Sequence, residues 1–212
     1  MTIISRRNLM KGAAAGAGLA IGGAPLSLMA KGIDDLIIAY NVNLPNWDPT
    51  VGMSAVNPTI QGIYQSVFDM FIHQSPDLAP APGLITDWGW NDDKTGFWVD
   101  VREGVKWHNG DDFGPEDVAY TWQRSGNPEN GSPLAQTWGN IQDIQIEGNR
   151  ITAKMMQFDP MMFKWMYFLT GYCLPKKYLE KVGAEGFEAA PIGTGPYMVK
   201  KFERNAFVRL KA

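Results

Sequence analysis

The sequence predicts an α/β fold in which a mixed sheet packs against helices, and three observations carry this prediction. Apolar residues recur every three to four positions from Ile60 to Phe71, which is typical of one buried helix face. Residues 96–102 place Phe97, Val99 and Val101 on one side of an extended chain, which indicates a half-buried strand. The chain of 212 residues is 45% hydrophobic and 12% aromatic, so it can bury a sizeable core.

The helix starts are predicted from capping residues. Asn57 favours the N-cap position, and Pro58 is tolerated as the first helical residue. Gly114 and Pro115, followed by two carboxylates at the positive end of a helix dipole, predict a second start. Short apolar runs and turn signals predict the remaining elements. These are a buried strand at 36–40, a hairpin at 144–151, helices after Pro160 and at 176–182, and a last strand around 207–210.

The charge and cysteine content exclude several classes of function. The chain has 19 basic and 22 acidic residues, and three of the basic ones lie in residues 1–30. Residues 31–212 therefore carry 16 basic and 22 acidic residues, a net charge of −6, which argues against a nucleic acid partner. The single cysteine, Cys173, excludes an intramolecular disulfide and a cysteine-based metal cluster.

Residues 1–30 are predicted to be an export signal. Arg6 and Arg7 follow Ser5, and an Ala- and Gly-rich run extends from Gly12 to Ala30. This pattern resembles a bacterial twin-arginine signal peptide, which is removed after export. The alternative is a retained membrane anchor, since nineteen residues could just span a bilayer. Five glycines and one proline make the run a poor helix in lipid and favour export.

Five strings in a fixed order resemble one protein family. They are LITDW at 84–88, DDKTGFW at 92–98, VREGVKWHNG at 101–110, PEDVAYTW at 115–122 and PIGTGPY at 191–197. In order and spacing these are similar to the family 5 extracellular solute-binding proteins of ABC transporters, the dipeptide and oligopeptide receptors. The likeness runs from about Leu36 to the end of the sequence.

The resemblance implies a type II periplasmic-binding-protein fold of the peptide-binding subclass. Members of the family are more than twice as long and close two lobes around a ligand. The resemblance therefore assigns residues 31–212 to lobe one and its extra subdomain, with the second lobe absent. It implies the substrate-binding receptor of an ABC importer, located in the periplasm. The implied partners are a di- or oligopeptide solute, ABC permease subunits of the inner membrane and the twin-arginine export machinery.

The resemblance also indicates where a solute would be contacted. Lobe one of the family offers the start of the first helix and the loop before the hairpin, which correspond here to 53–57 and 134–138. Asn57 is predicted to be a polar contact, with helix capping alone as the alternative. Trp138 is predicted to form an aromatic wall, with core packing as the alternative. Trp47 is a further candidate.

The remaining polar signals are predicted to be structural, with no catalytic residue, cofactor or metal. His108 is expected to be a packed or hydrogen-bonded imidazole. The acidic pairs at 92–93 and 111–112 are expected to be exposed turn residues, since no nucleophile lies beside them in the sequence. Four glycines are expected to form tight or left-handed turns. They are Gly104, Gly110, Gly193 and Gly195.

Two other functions stay open at this point. The chain could be a truncated product with no role in transport. It could also be an exported glycan hydrolase, which the tryptophan and acid content alone suggests. A hydrolase requires two carboxylates that face each other at about 5–9.5 Å.

Overall fold

The computed structural model of the protein describes residues 36–169 and 171–212. Residues 40–212 form one compact unit. The predicted signal segment 1–30, with Arg6 and Arg7, lies outside the described residues, so its role stays a prediction. In the described part of the chain, no helix combines the length and the apolar character that a membrane span requires.

The prediction of a buried strand at 36–40 is wrong. No strand is formed there, and Leu36, Ile37 and Ile38 are 84%, 89% and 62% exposed. A strand exists only through hydrogen bonds to a neighbouring strand. None of the strands within 36–169 and 171–212 pairs with this segment.

The other predicted elements are present. The α-helices are α1 (Pro58–Tyr64), α2 (Pro115–Gly126), α3 (Ala135–Gly139), α4 (Met162–Phe168) and α5 (Lys176–Ala189). The strands are β1 (Ile72–Gln74), β2 (Pro80–Pro82), β3 (Ile85–Trp90), β4 (Gly96–Val101), β5 (Ile141–Glu147), β6 (Arg150–Met155), β7 (Met198–Glu203) and β8 (Phe207–Lys211). Two short 3₁₀ helices, Met53–Val56 and Pro128–Asn130, lie in the loops that precede α1 and follow α2.

The largest sheet is antiparallel and has the strand order β3-β4-β6-β5. Phe97, Val99 and Val101 of β4 are at most 1% exposed, which confirms the alternation predicted for 96–102. The apolar face of this sheet packs with α2 and α4 in one core. A second core joins α1, α5 and the β7–β8 hairpin.

Helix α1 is shorter than its apolar pattern suggests. It ends at Tyr64, and the chain continues in a tighter, 3₁₀-type turn. There the amides of Ser66 and Val67 donate to the carbonyl oxygens three residues earlier, those of Ile63 and Tyr64. The apolar residues beyond the helix are nevertheless buried, with Val67, Phe68 and Phe71 at most 1% exposed. The periodicity therefore identified the core residues correctly and overstated the helix length.

The string at 191–197 crosses the turn that follows α1 at very close range. The expectation of tight or left-handed turns is confirmed for Gly104 and Gly110, whose φ angles of 74° and 90° are left-handed, whereas Gly193 and Gly195 have no left-handed φ. A Cβ on Gly193 would lie 1.9 Å from the Val67 carbonyl oxygen, and one on Gly195 would lie 2.6 Å from the Val67 carbonyl carbon. These two glycines are thus required by backbone packing rather than by φ.

Candidate functional site

The two segments predicted to contact a solute, 53–57 and 134–138, lie at the ends of two loops that contact each other. The loop at 46–57 leads into α1, and the loop at 127–134 leads into α3. The amide of Gly52 donates to the carbonyl oxygen of Gly131 at 2.9 Å, which joins the two loops directly. The fold therefore brings together chain segments that are almost eighty residues apart in the sequence.

Asn57 caps α1, as its alternative role predicted. Its side-chain oxygen accepts from the amides of Thr59 at 3.0 Å and Ile60 at 3.3 Å. The residue is half-exposed, and its amide nitrogen makes no hydrogen bond to the described residues. The side-chain oxygen of Asn57 is thus engaged in capping, and its side-chain NH₂ group is the donor with which Asn57 would contact a solute.

The two candidate tryptophans belong to the cores. Trp138 is 1% exposed and packs edge-to-face on Phe71, with ring centroids 6.1 Å apart. Trp47 is fully buried, and its ring lies 5.6 Å from that of Phe202. Neither indole presents a face at the surface, so a solute contact by Trp47 or Trp138 stays a prediction that requires the loop or α3 to move.

A buried ion pair links α2 to the first loop. Arg124 Nη2 lies 2.8 Å from Asp48 Oδ2, and the two side chains are 17% and 13% exposed. Arg124 Nη1 also donates to Asn130 Oδ1 in the second loop at 3.2 Å. Sequence reasoning did not single out Arg124 or Asp48. The available signal was the sequence Asp48-Pro49-Thr50, in which an aspartate can accept hydrogen bonds from the residue two positions later.

Two side chains of α1 form hydrogen bonds to the backbone of the first loop. The Gln61 amide nitrogen donates to the carbonyl oxygens of Ser54 at 2.9 Å and Ala55 at 3.1 Å. The Tyr64 hydroxyl donates to the Asn46 carbonyl oxygen at 2.9 Å. These buried side chains thus supply hydrogen bonds to carbonyl groups of the loop backbone.

Helix α5 provides a further contact to the same loop. The Trp47 amide donates to Glu188 Oε2 at 2.6 Å, and Glu188 Oε1 is 3.1 Å from Arg204 Nη2. Burial raises the pKa of Glu188, while the hydrogen bond from Trp47 and the charge of Arg204 oppose that rise. The loop is therefore fixed by α1, α2 and α5 together.

His108 is hydrogen-bonded, as predicted. Its Nδ1 accepts from the Gly193 amide at 3.1 Å, so Nε2 carries the proton and donates to the Gly195 carbonyl oxygen at 2.8 Å. Its own amide donates to the Gly193 carbonyl oxygen at 2.9 Å. The imidazole thus fixes the crossing chain at 193–195.

The acidic pairs show no catalytic arrangement. Asp92, Asp93, Asp111 and Asp112 are all exposed, with Asp92 and Asp93 in a turn, and Asp112 forms a surface ion pair with Lys106. In residues 36–169 and 171–212, no group of three or more histidine, cysteine or acidic side chains could hold a metal ion.

A cleft of about 320 Å³ lies beside the end of α1. It is lined by Gln65, Phe68, Met70, His73, Gln74 and Tyr167.

Comparison with known sequences identifies one family. The sequence model described as "Bacterial extracellular solute-binding proteins, family 5 Middle" matches residues 79–212. The chain is 26% identical to the glutathione-binding protein GsiB of Salmonella paratyphi A, over 84% of this chain and 34% of that protein. It is 25% identical to the periplasmic oligopeptide-binding protein OppA of Escherichia coli K12, over 100% of this chain and 42% of that protein. The chain thus spans 34% to 42% of the length of these two curated relatives.

Solved structures show the same fold. The dipeptide-binding protein of Pseudoalteromonas sp. SM9913, solved with Met-Leu, superposes with a TM-score of 0.69 at 23% identity, over 80% of this chain and 38% of that one. The substrate-binding domain of an oligopeptide ABC transporter from Bacillus anthracis superposes with a TM-score of 0.72 at 16% identity, over 82% of this chain and 36% of that one. The fold is therefore of the type II periplasmic-binding-protein kind, peptide-binding subclass.

Proposed function

The chain belongs to the bacterial extracellular solute-binding proteins of family 5, and from this membership we propose that it is the receptor component of an ABC importer. It captures a peptide or a similar solute in the periplasm and delivers it to the permease subunits in the inner membrane. The observation that carries the proposal is the family match over residues 79–212. The protein acts by binding and release, without turnover of the solute.

A small peptide-like solute is the class that the relatives favour. The names of the matched proteins specify glutathione, oligopeptides and the dipeptide Met-Leu. An extended peptide can be held largely by main-chain hydrogen bonds, as an added strand is held. Receptors that bind in this way accept several peptides, because the contacted atoms are common to all of them.

Residues 1–30 form the twin-arginine signal in this proposal, and residues 31–212 the exported lobe-one part of the receptor. The test is to purify the full gene product from the periplasm of its own cell and to identify the bound solute by native mass spectrometry. A co-purified peptide is the expected result. A product that stays in the cytoplasm contradicts the export step, and chemical conversion of an added glutathione or Met-Leu contradicts the receptor role.

The solute contacts in this proposal are Asn57, Trp138 and Trp47, and Asn57 offers the sharpest test. Asn57→Asp keeps the oxygen that accepts from Thr59 and Ile60 but removes the amide donor. We expect it to retain the stability of α1 and to weaken binding of the co-purified solute about tenfold. Asn57→Ala is the matched variant, and loss of the cap should lower the free energy of unfolding by about 1 kcal/mol. Calorimetry and urea titration measure the two effects, and unchanged affinity in Asn57→Asp would leave Asn57 as a cap alone.

A further inference from the structure

We infer that Arg124 is a positioning residue, which holds the loops at 46–57 and 127–134 in one fixed arrangement for solute binding. This inference rests on the proposed function, because it gives a role to the loops that carry the predicted contacts. The Arg124 side chain is itself largely buried, at 17% exposure. It therefore acts through the residues it holds.

The guanidinium binds one loop with each terminal nitrogen. Nη2 lies 2.8 Å from Asp48 Oδ2 in the first loop, and Nη1 donates to Asn130 Oδ1 in the second at 3.2 Å. Asn130 returns a hydrogen bond, from Nδ2 to the Arg124 carbonyl oxygen at 3.1 Å. A planar fork with fixed donor directions can bind two loops at once, whereas a single ammonium group cannot match both directions.

Asp48 transmits this constraint to the backbone of its loop. Its Oδ2 binds Arg124, while its Oδ1 accepts from the Thr50 amide at 2.9 Å and from the Thr50 hydroxyl at 2.6 Å. Two residues later the Gly52 amide donates to the Gly131 carbonyl oxygen at 2.9 Å. The contacts of Asp48 with Arg124 and Thr50 thus fix the loop two residues before the point where Gly52 bonds to the second loop.

The energetics favour a positioning role over a purely stabilising one. Burying an ion pair costs desolvation energy that its attraction repays only in part, so apolar residues of similar size often stabilise a protein as well or better. Arg124 Nε is buried and makes no hydrogen bond to the described residues, which adds to that cost. The hydrogen bonds of Arg124 are directional, which apolar packing is not, and they therefore position both loops relative to α2.

The experiment compares Arg124→Lys with the wild type in the full exported gene product. Lysine keeps the charge and loses the fork. The first measurement is hydrogen exchange of the Gly52 amide without solute, with the buried Val99 amide of β4 as the reference for global opening. The second is calorimetry with glutathione and with Met-Leu. We expect Gly52 to exchange about tenfold faster, Val99 to change less than twofold, and affinity for whichever probe the wild type binds to fall about tenfold.

Arg150→Lys is the matched control. Arg150 also forms a two-pronged pair with an aspartate, Asp100, at 2.7 Å for each contact, but on the exposed side of the sheet. It should leave the Gly52 amide and the affinity unchanged. Gly52 exchange within twofold of wild type in Arg124→Lys overturns the inference, and so does an equal rise at Val99 or an unchanged affinity. A wild type that binds neither probe counts against the proposed solute class, and the exchange comparison still decides whether Arg124 holds the loops.

Discussion

The two sides of helix α2 hold the molecule together in different ways. One side presents Val118 and Trp122, both at most 1% exposed, to the core of the four-stranded sheet. The neighbouring stripe presents Asp117, Thr121 and Arg124, spaced by four and then three residues, to loops that pass beside the helix. Because both stripes belong to one helix, they can be compared within the same element.

The polar stripe makes directed bonds to specific atoms of the neighbouring loops. Asp117 accepts from Trp107 Nε1 at 3.1 Å and from the Lys176 amide at 2.9 Å. The Thr121 hydroxyl accepts from the Leu174 amide at 3.0 Å. Apolar contacts stabilise in proportion to buried area and without direction, whereas these bonds determine where each loop lies. The apolar side thus contributes stability through buried area, and the polar side positions the loops that it binds, with Arg124 alone reaching the loops of the candidate site.

The largest loss of stability is expected from Trp122→Ala, on the apolar side. The Trp122 ring is 1% exposed and packs edge-to-face against Phe71 and Phe97, at 6.0 Å and 5.7 Å. Its removal leaves a cavity, so the free energy of unfolding should fall by about 3–5 kcal/mol in a urea titration. Phe207→Ala is the control, since Phe207 is 42% exposed and should cost far less. Similar losses in the two variants would contradict the comparison.

Asp117→Asn should give an intermediate loss that depends on pH. Asn has one acceptor oxygen for the donors that Asp117 now satisfies, so at neutral pH we expect a loss of about 2 kcal/mol. Burial raises the pKa of Asp117 above its ordinary 3.8, against the lowering effect of its hydrogen bonds. The folded state therefore binds this proton more tightly than the unfolded state does, and the contribution of Asp117 to stability falls as pH rises from the ordinary value through the folded one.

Urea titrations of wild type and Asp117→Asn across the acidic range up to pH 7 test this sign. The stability advantage of the wild type should shrink as pH rises and then level off. An advantage that grows with pH would mean that the hydrogen bonds from Gly114, Lys176 and Trp107 outweigh burial, and that the pKa of Asp117 is lowered in the folded protein.

The smallest effect is expected from Ser125→Ala. Ser125 is 1% exposed, and its hydroxyl makes no hydrogen bond to any described residue. Removing a buried polar group without a partner should leave stability unchanged or raise it by about 1 kcal/mol. Thr121→Ala, four residues earlier, should lower stability by about 1–2 kcal/mol because it leaves the Leu174 amide without its acceptor. Equal losses at both positions would show that the hydroxyl of Ser125 has a partner.

Much of this fold follows from local patterns. The periodic burial from Ile60 to Phe71, the alternation in β4 and the cap at Asn57 depend on neighbours within a few residues, which the sequence displays directly. The structural role of His108 was predicted for a similar reason, since one imidazole without other ligands nearby is more often hydrogen-bonded than metal-bound. The five ordered strings indicated the family, which the match over 79–212 confirms.

Features that depend on contacts between distant parts of the chain could not be predicted from local sequence patterns. The strand predicted at 36–40 failed because an apolar run does not reveal whether a pairing partner lies beside it. Gly193 is a glycine because Val67 passes within reach of its missing Cβ, a contact across more than 120 residues. Asp48, Arg124 and Asn130 have no local pattern that links them.

The sequence by itself therefore determined the α/β class, most elements, the buried faces and the family. Only the tertiary structure decided that α2 carries a polar stripe, that Arg124 joins two loops, and that Trp47 and Trp138 lie in the cores. The physical reason is that hydrophobic periodicity acts over one or two turns of chain. The direction of a hydrogen bond, by contrast, is specified only when donor and acceptor from separate segments have been brought within about 3 Å.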